Sequence, residues 1–166
     1  MPLNPNFFRQ LAPYRDTGAL IDTSLLLLLF VGSHSRDLIP NFKRTRRYSI
    51  EDYEIISQLV YFFNIIATTP NILTEVSNFC GQFPDKMHAQ VFETFRRQML
   101  VLNETYVPSR EASEADYFQS LRLTDSVIGV LAERGLLVIT DDFPLSNRLA
   151  ARNLPVINFN HLRPVP

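Results

Sequence analysis

An unbroken apolar run, Leu25 to Val31, follows closely on the shorter run Ala19-Leu20-Ile21, and only Asp22-Thr23-Ser24 divides them. A segment with no polar side must be buried on every face. Leu25 to Val31 is far too short to cross a bilayer, which takes about 20 residues. The stretch before it carries Arg9, Arg15, Asp16 and Asp22 and has no small-residue cleavage site after a clean apolar core, so a secretion signal is not expected. The pair therefore reads as a short buried strand over Gly18 to Thr23 feeding a buried helix over Leu25 to Val31, stopped by Gly32 and Ser33.

The same alternation continues along the chain. Residues 1–17, rich in Pro and Asn, are expected to be irregular. Ser49 with Asp52 is a helix N-cap with an acid in the first turn, and predicts a helix to about Phe63. Ile65 to Thr68 is a second short strand, and Thr69-Pro70 opens a helix ending near Gly81. Asp85 to Leu102 is helical, with Val91, Phe95, Met99 and Leu102 on one stripe. Tyr106-Val107 is the expected third strand, and Ser109 to Leu121 a loop or an exposed helix. Leu123 to Glu133 predicts a helix capped by Gly135, Leu136 to Thr140 a strand, Asp142 to Asn153 a short helix and Pro155 to Phe159 the last strand. Strands alternating with helices imply an α/β fold: a central parallel sheet of four or five strands with helices on both faces. No internal repeat or domain boundary is visible, so residues 1–166 are expected to form one domain, with a core over about 18–160 and an elaboration over about 32–63.

Composition narrows the function classes. An apolar content of 46 % excludes a disordered chain, and a net charge of −1 gives no global attraction for nucleic acid. Cys80 is the single cysteine, so neither an internal disulfide nor a cysteine zinc site is available, and a cytoplasmic setting is expected. His34, His88 and His161 show no ligand spacing. Lys43, Arg44, Arg46, Arg47 and the pair Arg96-Arg97 are candidate RNA phosphate contacts, against the plainer reading of a solvated charged face. Phe62, Phe63, Phe92 and Phe95 are candidates for an apolar contact in a homo-oligomer, against plain core packing.

Ligands of an open parallel sheet bind beyond the carboxyl ends of its strands. Asp22 follows the first expected strand, Glu75 lies one turn after the second, Asp125 opens a later helix, and Asp141-Asp142 follow the fourth. Each acid has a plain alternative: Asp22 and the doublet as helix caps, Asp125 as a helix-dipole acid, and Glu75 as a solvated flank that shares a polar stripe with Asn71 and Asn78. Gly129, at i+4 from Asp125, leaves room beside that carboxylate or serves close helix packing. Together the acids would form a cluster that repels itself unless a cation intervenes. Oxygen-only ligands select Mg²⁺ or Mn²⁺, ions suited to phosphodiester hydrolysis.

These segments resemble the motifs of the PIN-domain ribonucleases. Ala19-Leu20-Ile21-Asp22-Thr23-Ser24 is similar to the first, and Thr69-Pro70-Asn71-Ile72-Leu73-Thr74-Glu75-Val76-Ser77-Asn78 to the second. Leu123-Thr124-Asp125-Ser126-Val127-Ile128 is similar to the third, and Leu137-Val138-Ile139-Thr140-Asp141-Asp142-Phe143 to the fourth, all in the family's order. The resemblance implies a Rossmann-like PIN fold and a metal-dependent endoribonuclease, with Asp22, Glu75, Asp125 and Asp142 as the acids. Asp142 is preferred to Asp141 because the family shows Thr, any residue, then Asp; Asp141 is the substitute. Ser24, Asn71 and Thr140 are supporting polar residues, and Ser24 stands where the family often has Asn. Many family members are toxins of toxin–antitoxin pairs, which implies an antitoxin partner. The alternative is a catalytically silent PIN-like scaffold that binds RNA or protein. Acid-rich phosphotransfer domains of the haloacid dehalogenase and receiver types fit worse, since Asp-x-Asp is lacking after the first strand and the acidic doublet comes late.

Overall fold

Five short strands, each too short to be stable alone, build one sheet in a computed structural model that describes residues 3–163. They are β1 (Ala19–Ile21), β2 (Ile66–Thr68), β3 (Asn103–Glu104), β4 (Leu137–Thr140) and β5 (Val156–Asn158). The order is β3-β2-β1-β4-β5 and every neighbouring pair is parallel. β1 and β4 lie inside the sheet and are buried along their whole length, which is why they read as continuous apolar runs rather than alternating ones.

The chain steps outward from β1 to β2 and β3, then returns past β1 to β4 and β5. Parallel crossovers are right-handed, so this reversal sends the two sets of connecting helices to opposite faces. On one side α2 (Thr23–His34) is the hub, packed by α3 (Leu38–Asn41), α4 (Ile50–Phe62), α5 (Pro70–Cys80) and α6 (Asp85–Met99). On the other, α8 (Phe118–Glu133) packs on α7 (Ser109–Ser113) and α9 (Phe143–Ala151), and α8 and α9 both cover β4. The fold is α/β of the Rossmann-like kind, and its reversal point lies between β1 and β4. Among the described residues, no helix is long and apolar enough to cross a membrane.

Several local expectations are corrected. Residues 5–14 are helical, not irregular: α1 (Pro5–Leu11) is capped by the Asn4 side chain, which accepts the Asn6 N–H, and a 3₁₀ turn follows over Ala12–Tyr14. Packing supports it, since the Phe8 ring lies 5.1 Å from that of Phe62. Residues 1 and 2 lie outside the described residues. Gly32 and Ser33 do not stop α2, which continues to His34. A Cβ at Gly32 would collide with the Tyr53 ring, so the glycine exists to let α4 approach. The third strand is Asn103–Glu104, not Tyr106-Val107. This edge strand needs only backbone pairing with β2, while Val107 turns into the core and Tyr106 is 70 % exposed. Ser109 to Leu121 splits into α7 and the first turn of α8.

Other expectations hold. Ser49 and Asp52 form a reciprocal capping box on α4, and Thr69 caps α5 with Pro70 in its first turn. Gly135 takes φ +96° at the end of α8. Phe63 and Phe95 are core residues, whereas Phe92, 36 % exposed, is not.

Candidate acidic site

β1 ends at Ile21 and hands its next residue, Asp22, to the N-terminus of α2. Asp22 Oδ1 accepts the Leu25 N–H at 3.1 Å, so the capping role is real. Oδ2 accepts the hydroxyl of Thr140, the last residue of the adjacent β4. The Thr140 hydroxyl oxygen in turn accepts the Asp142 N–H at 3.0 Å. The first and fourth motifs thus meet side by side at the reversal point, where a parallel sheet opens a crevice.

Asp22 is 6 % exposed. Burial pushes its carboxyl up to about 7, the neighbouring charge of Asp141 adds to this, and Asp125 contributes further; the bonds from Thr140 and Leu25 pull the other way. Asp125 lies on α8 just past Arg122, whose φ of 66° breaks the helix, so a fresh helical segment starts beside the acid. Burial raises the Asp125 carboxyl to about 6, followed by the charges of Asp142 and Glu75, with Arg122 opposing. Glu75, on α5, is held at both oxygens. Oε2 accepts the Thr23 hydroxyl at 2.8 Å and Oε1 the Thr124 hydroxyl at 2.5 Å. It thereby joins α5 to the starts of α2 and the second part of α8. An open groove lined by Pro70, Asn71, Thr74, Glu75 and Thr124 lies alongside.

The two members of the doublet have different surroundings. Asp142 is exposed and caps α9, accepting the Leu145 N–H at 2.7 Å. Asp141 is buried, and its Oδ2 receives the Tyr48 hydroxyl at 2.6 Å and the Arg47 guanidinium at 2.8 Å. Burial, and then the charge of Asp141, hold the Tyr48 hydroxyl far above the usual phenol range.

Of the residues singled out in the sequence, Asp22, Glu75, Asp125, Asp141, Asp142 and Thr140 are thus connected by hydrogen bonds or by their mutual charge. Asn71 borders the same groove as Glu75. Ser24 is half-buried, and among the described residues its hydroxyl bonds to none of the acids. The basic stretch divides. Arg47 enters the acidic site, Arg44 turns away to Gln82 and stacks 4.6 Å from the Phe79 ring centre, and Lys43 and Arg46 are exposed. Arg96 and Arg97 both pair with Glu93. Gly129 makes room for Tyr117, not for Asp125, since a Cβ there would lie 2.7 Å from that ring.

Sequence reasoning missed Thr23, Thr124 and Tyr48 as parts of the site. Thr23 and Thr124 stand next to Asp22 and Asp125 in the chain, and that adjacency was the available signal. Among the described residues, no three His, Cys, Asp or Glu side chains already form a group able to hold a metal ion. The side chains that could converge on one are Asp22, Glu75, Asp125 and Asp142. The chain matches no protein-family model and no curated protein.

Proposed function

We propose that this chain is a Mg²⁺- or Mn²⁺-dependent endoribonuclease of the PIN-domain type. The observation that carries this reading is that acids from four distant segments act on one another's charge near the carboxyl edge where β1 and β4 adjoin: Asp125 on Asp22, and Asp142 and Glu75 on Asp125. Burial and like charge raise Asp22 and Asp125, so both carboxylates favour a nearby cation. The donors are oxygens only, which fits a hard divalent ion.

Such an ion, when bound, supplies an activated water and offsets charge on a phosphoryl group. The chain's own groups do the holding and aiming. Thr140 fixes Asp22 against the end of β4, and Thr23 with Thr124 fixes Glu75 between helices. Asp142 is the better fourth ligand, because it is exposed and acts on Asp125, whereas Asp141 is already engaged by Tyr48 and Arg47. The exposed Lys43 and Arg46 are available to RNA phosphates. A role as a toxin comes from the family resemblance, and co-purification with the product of the neighbouring gene checks it.

The test is cleavage of a mixed RNA panel in Mn²⁺ by wild type and Asp22→Asn. Wild type should cut, and the variant should lose at least the 10–100-fold that even outer-shell changes at metal sites cost. Equal cleavage by both ends the proposal. Mn²⁺ uptake without cleavage moves the chain to a silent binding scaffold.

A further inference from the structure

Arg47 stands out among the basic residues of its stretch. Its guanidinium reaches Asp141 at 2.8 Å and donates to the Tyr48 hydroxyl at 2.7 Å, while lying 4.9 Å from the Tyr48 ring centre. Its backbone is clamped, since its carbonyl accepts from Arg163 at 2.9 Å and Arg163 is itself held by Asp52. Yet the Arg47 side chain remains 56 % exposed, while that of Asp141 is 5 % exposed. The arginine is thus anchored at its base and paired at its tip, on a side chain that stays more than half open to solvent. Asp141 also has a second donor in Tyr48, so it keeps a hydrogen bond when the guanidinium leaves. The charges of both Asp141 and Asp22 reach Arg47.

Building on the metal-site reading above, we infer that Arg47 is the built-in counter-ion of the acidic site: it neutralises Asp141 while no divalent cation is bound, opposes cation entry, and swings off when one enters. A fixed positive charge beside a cation site weakens that site, and the same charge, once released at the crevice mouth, lies where an anionic substrate would approach.

Mn²⁺ alone is the probe, titrated calorimetrically into wild type, Arg47→Gln, Arg47→Lys and the exposed control Arg46→Gln. Arg47→Gln should bind Mn²⁺ roughly tenfold more tightly, the scale of one unit charge acting through a half-exposed site. Arg47→Lys should stay close to wild type, and Arg46→Gln should not differ from it. A merely structural ion pair predicts the reverse, with affinity unchanged or weakened in Arg47→Gln, and that result overturns the inference. A second measurement needs no variant. The Arg47 side-chain Nε–H resonance of wild type should shift on Mg²⁺ saturation while that of Arg163 stays put, and an unmoved Arg47 signal also overturns it. Mn²⁺ uptake by all four proteins with equal affinity sinks only the role of Arg47. Uptake by none of them sinks the metal site itself.

Discussion

Two buried aspartates cap helices on the same molecule and live under opposite rules. Asp52, 1 % exposed in the first turn of α4, accepts the Ser49 N–H and is gripped by both Nε and Nη2 of Arg163. Asp22, 6 % exposed before α2, accepts one N–H and one hydroxyl; the charges that raise it, Asp141 and Asp125, are acids, and the nearby Arg47 is paired with Asp141 rather than with it. Both are satisfied as caps. Only Asp52 is satisfied as a charge. A buried carboxylate with its own arginine is a structural joint. One whose strongest charged neighbours are acids is strained as a charge, as the proposed cation site requires, and the fold carries the cost of keeping it.

The widest separation between the two should appear with pH. The Asp22 carboxyl sits at about 7 against an ordinary 3.8. Below pH 4 it is protonated in folded and unfolded chains alike, with no penalty. Between pH 4 and 7 the unfolded chain gives up its proton first, so unfolding grows easier as pH rises, and above pH 7 the loss is complete. At about 1.4 kcal/mol per unit, metal-free protein should lose at most about 4 kcal/mol across that window. Asn also caps helices, so Asp22→Asn should flatten the curve without loosening α2. Urea unfolding at several pH values measures it, and a wild-type curve already flat would erase the contrast.

Next in size is the opposite joint. Arg163→Met leaves Asp52 buried without its partner and should cost about 3 kcal/mol at pH 7, less any relief from solvent at the partly exposed arginine. Urea midpoints show it directly. If Arg163→Met and Asp22→Asn destabilise equally at pH 8, the two aspartates are not different in kind.

The smallest effect sharpens the site side. Thr23→Val and Thr124→Val each remove one hydroxyl donor from Glu75 and should cost about 1 kcal/mol of stability apiece. Because both donors serve one carboxylate, the double variant should depart from additivity. Strict additivity in thermal melts would mean that Glu75 is not shared between α2 and α8.

Much of this was legible residue by residue. Ser49 and Asp52 announced a capped helix start, Thr69-Pro70 another, and Leu136 to Thr140 a strand. Acids following strands were readable as carboxyl-edge residues once a parallel sheet was inferred. The misses have physical causes. β3 is a two-residue edge strand with both side chains exposed, so no hydrophobic pattern marks it. Gly32 looked like a stop, and Gly129 left a vacancy and close packing equally open, because the rings they admit, Tyr53 and Tyr117, come from elsewhere in the chain. Arg47 was visible as charge, but not as a charge committed to Asp141.

The amino-acid order alone determined most of the elements, because caps, turns and apolar runs are settled by neighbours a few positions away. Only tertiary structure decided who meets whom at the sheet edge: Thr140 with Asp22 across 118 positions, Tyr48 with Asp141 across 93, Thr23 with Glu75 across 52. Those pairings follow from the direction in which the chain crosses over its own sheet. No local preference encodes a contact whose partner arrives from the other side of a crossover.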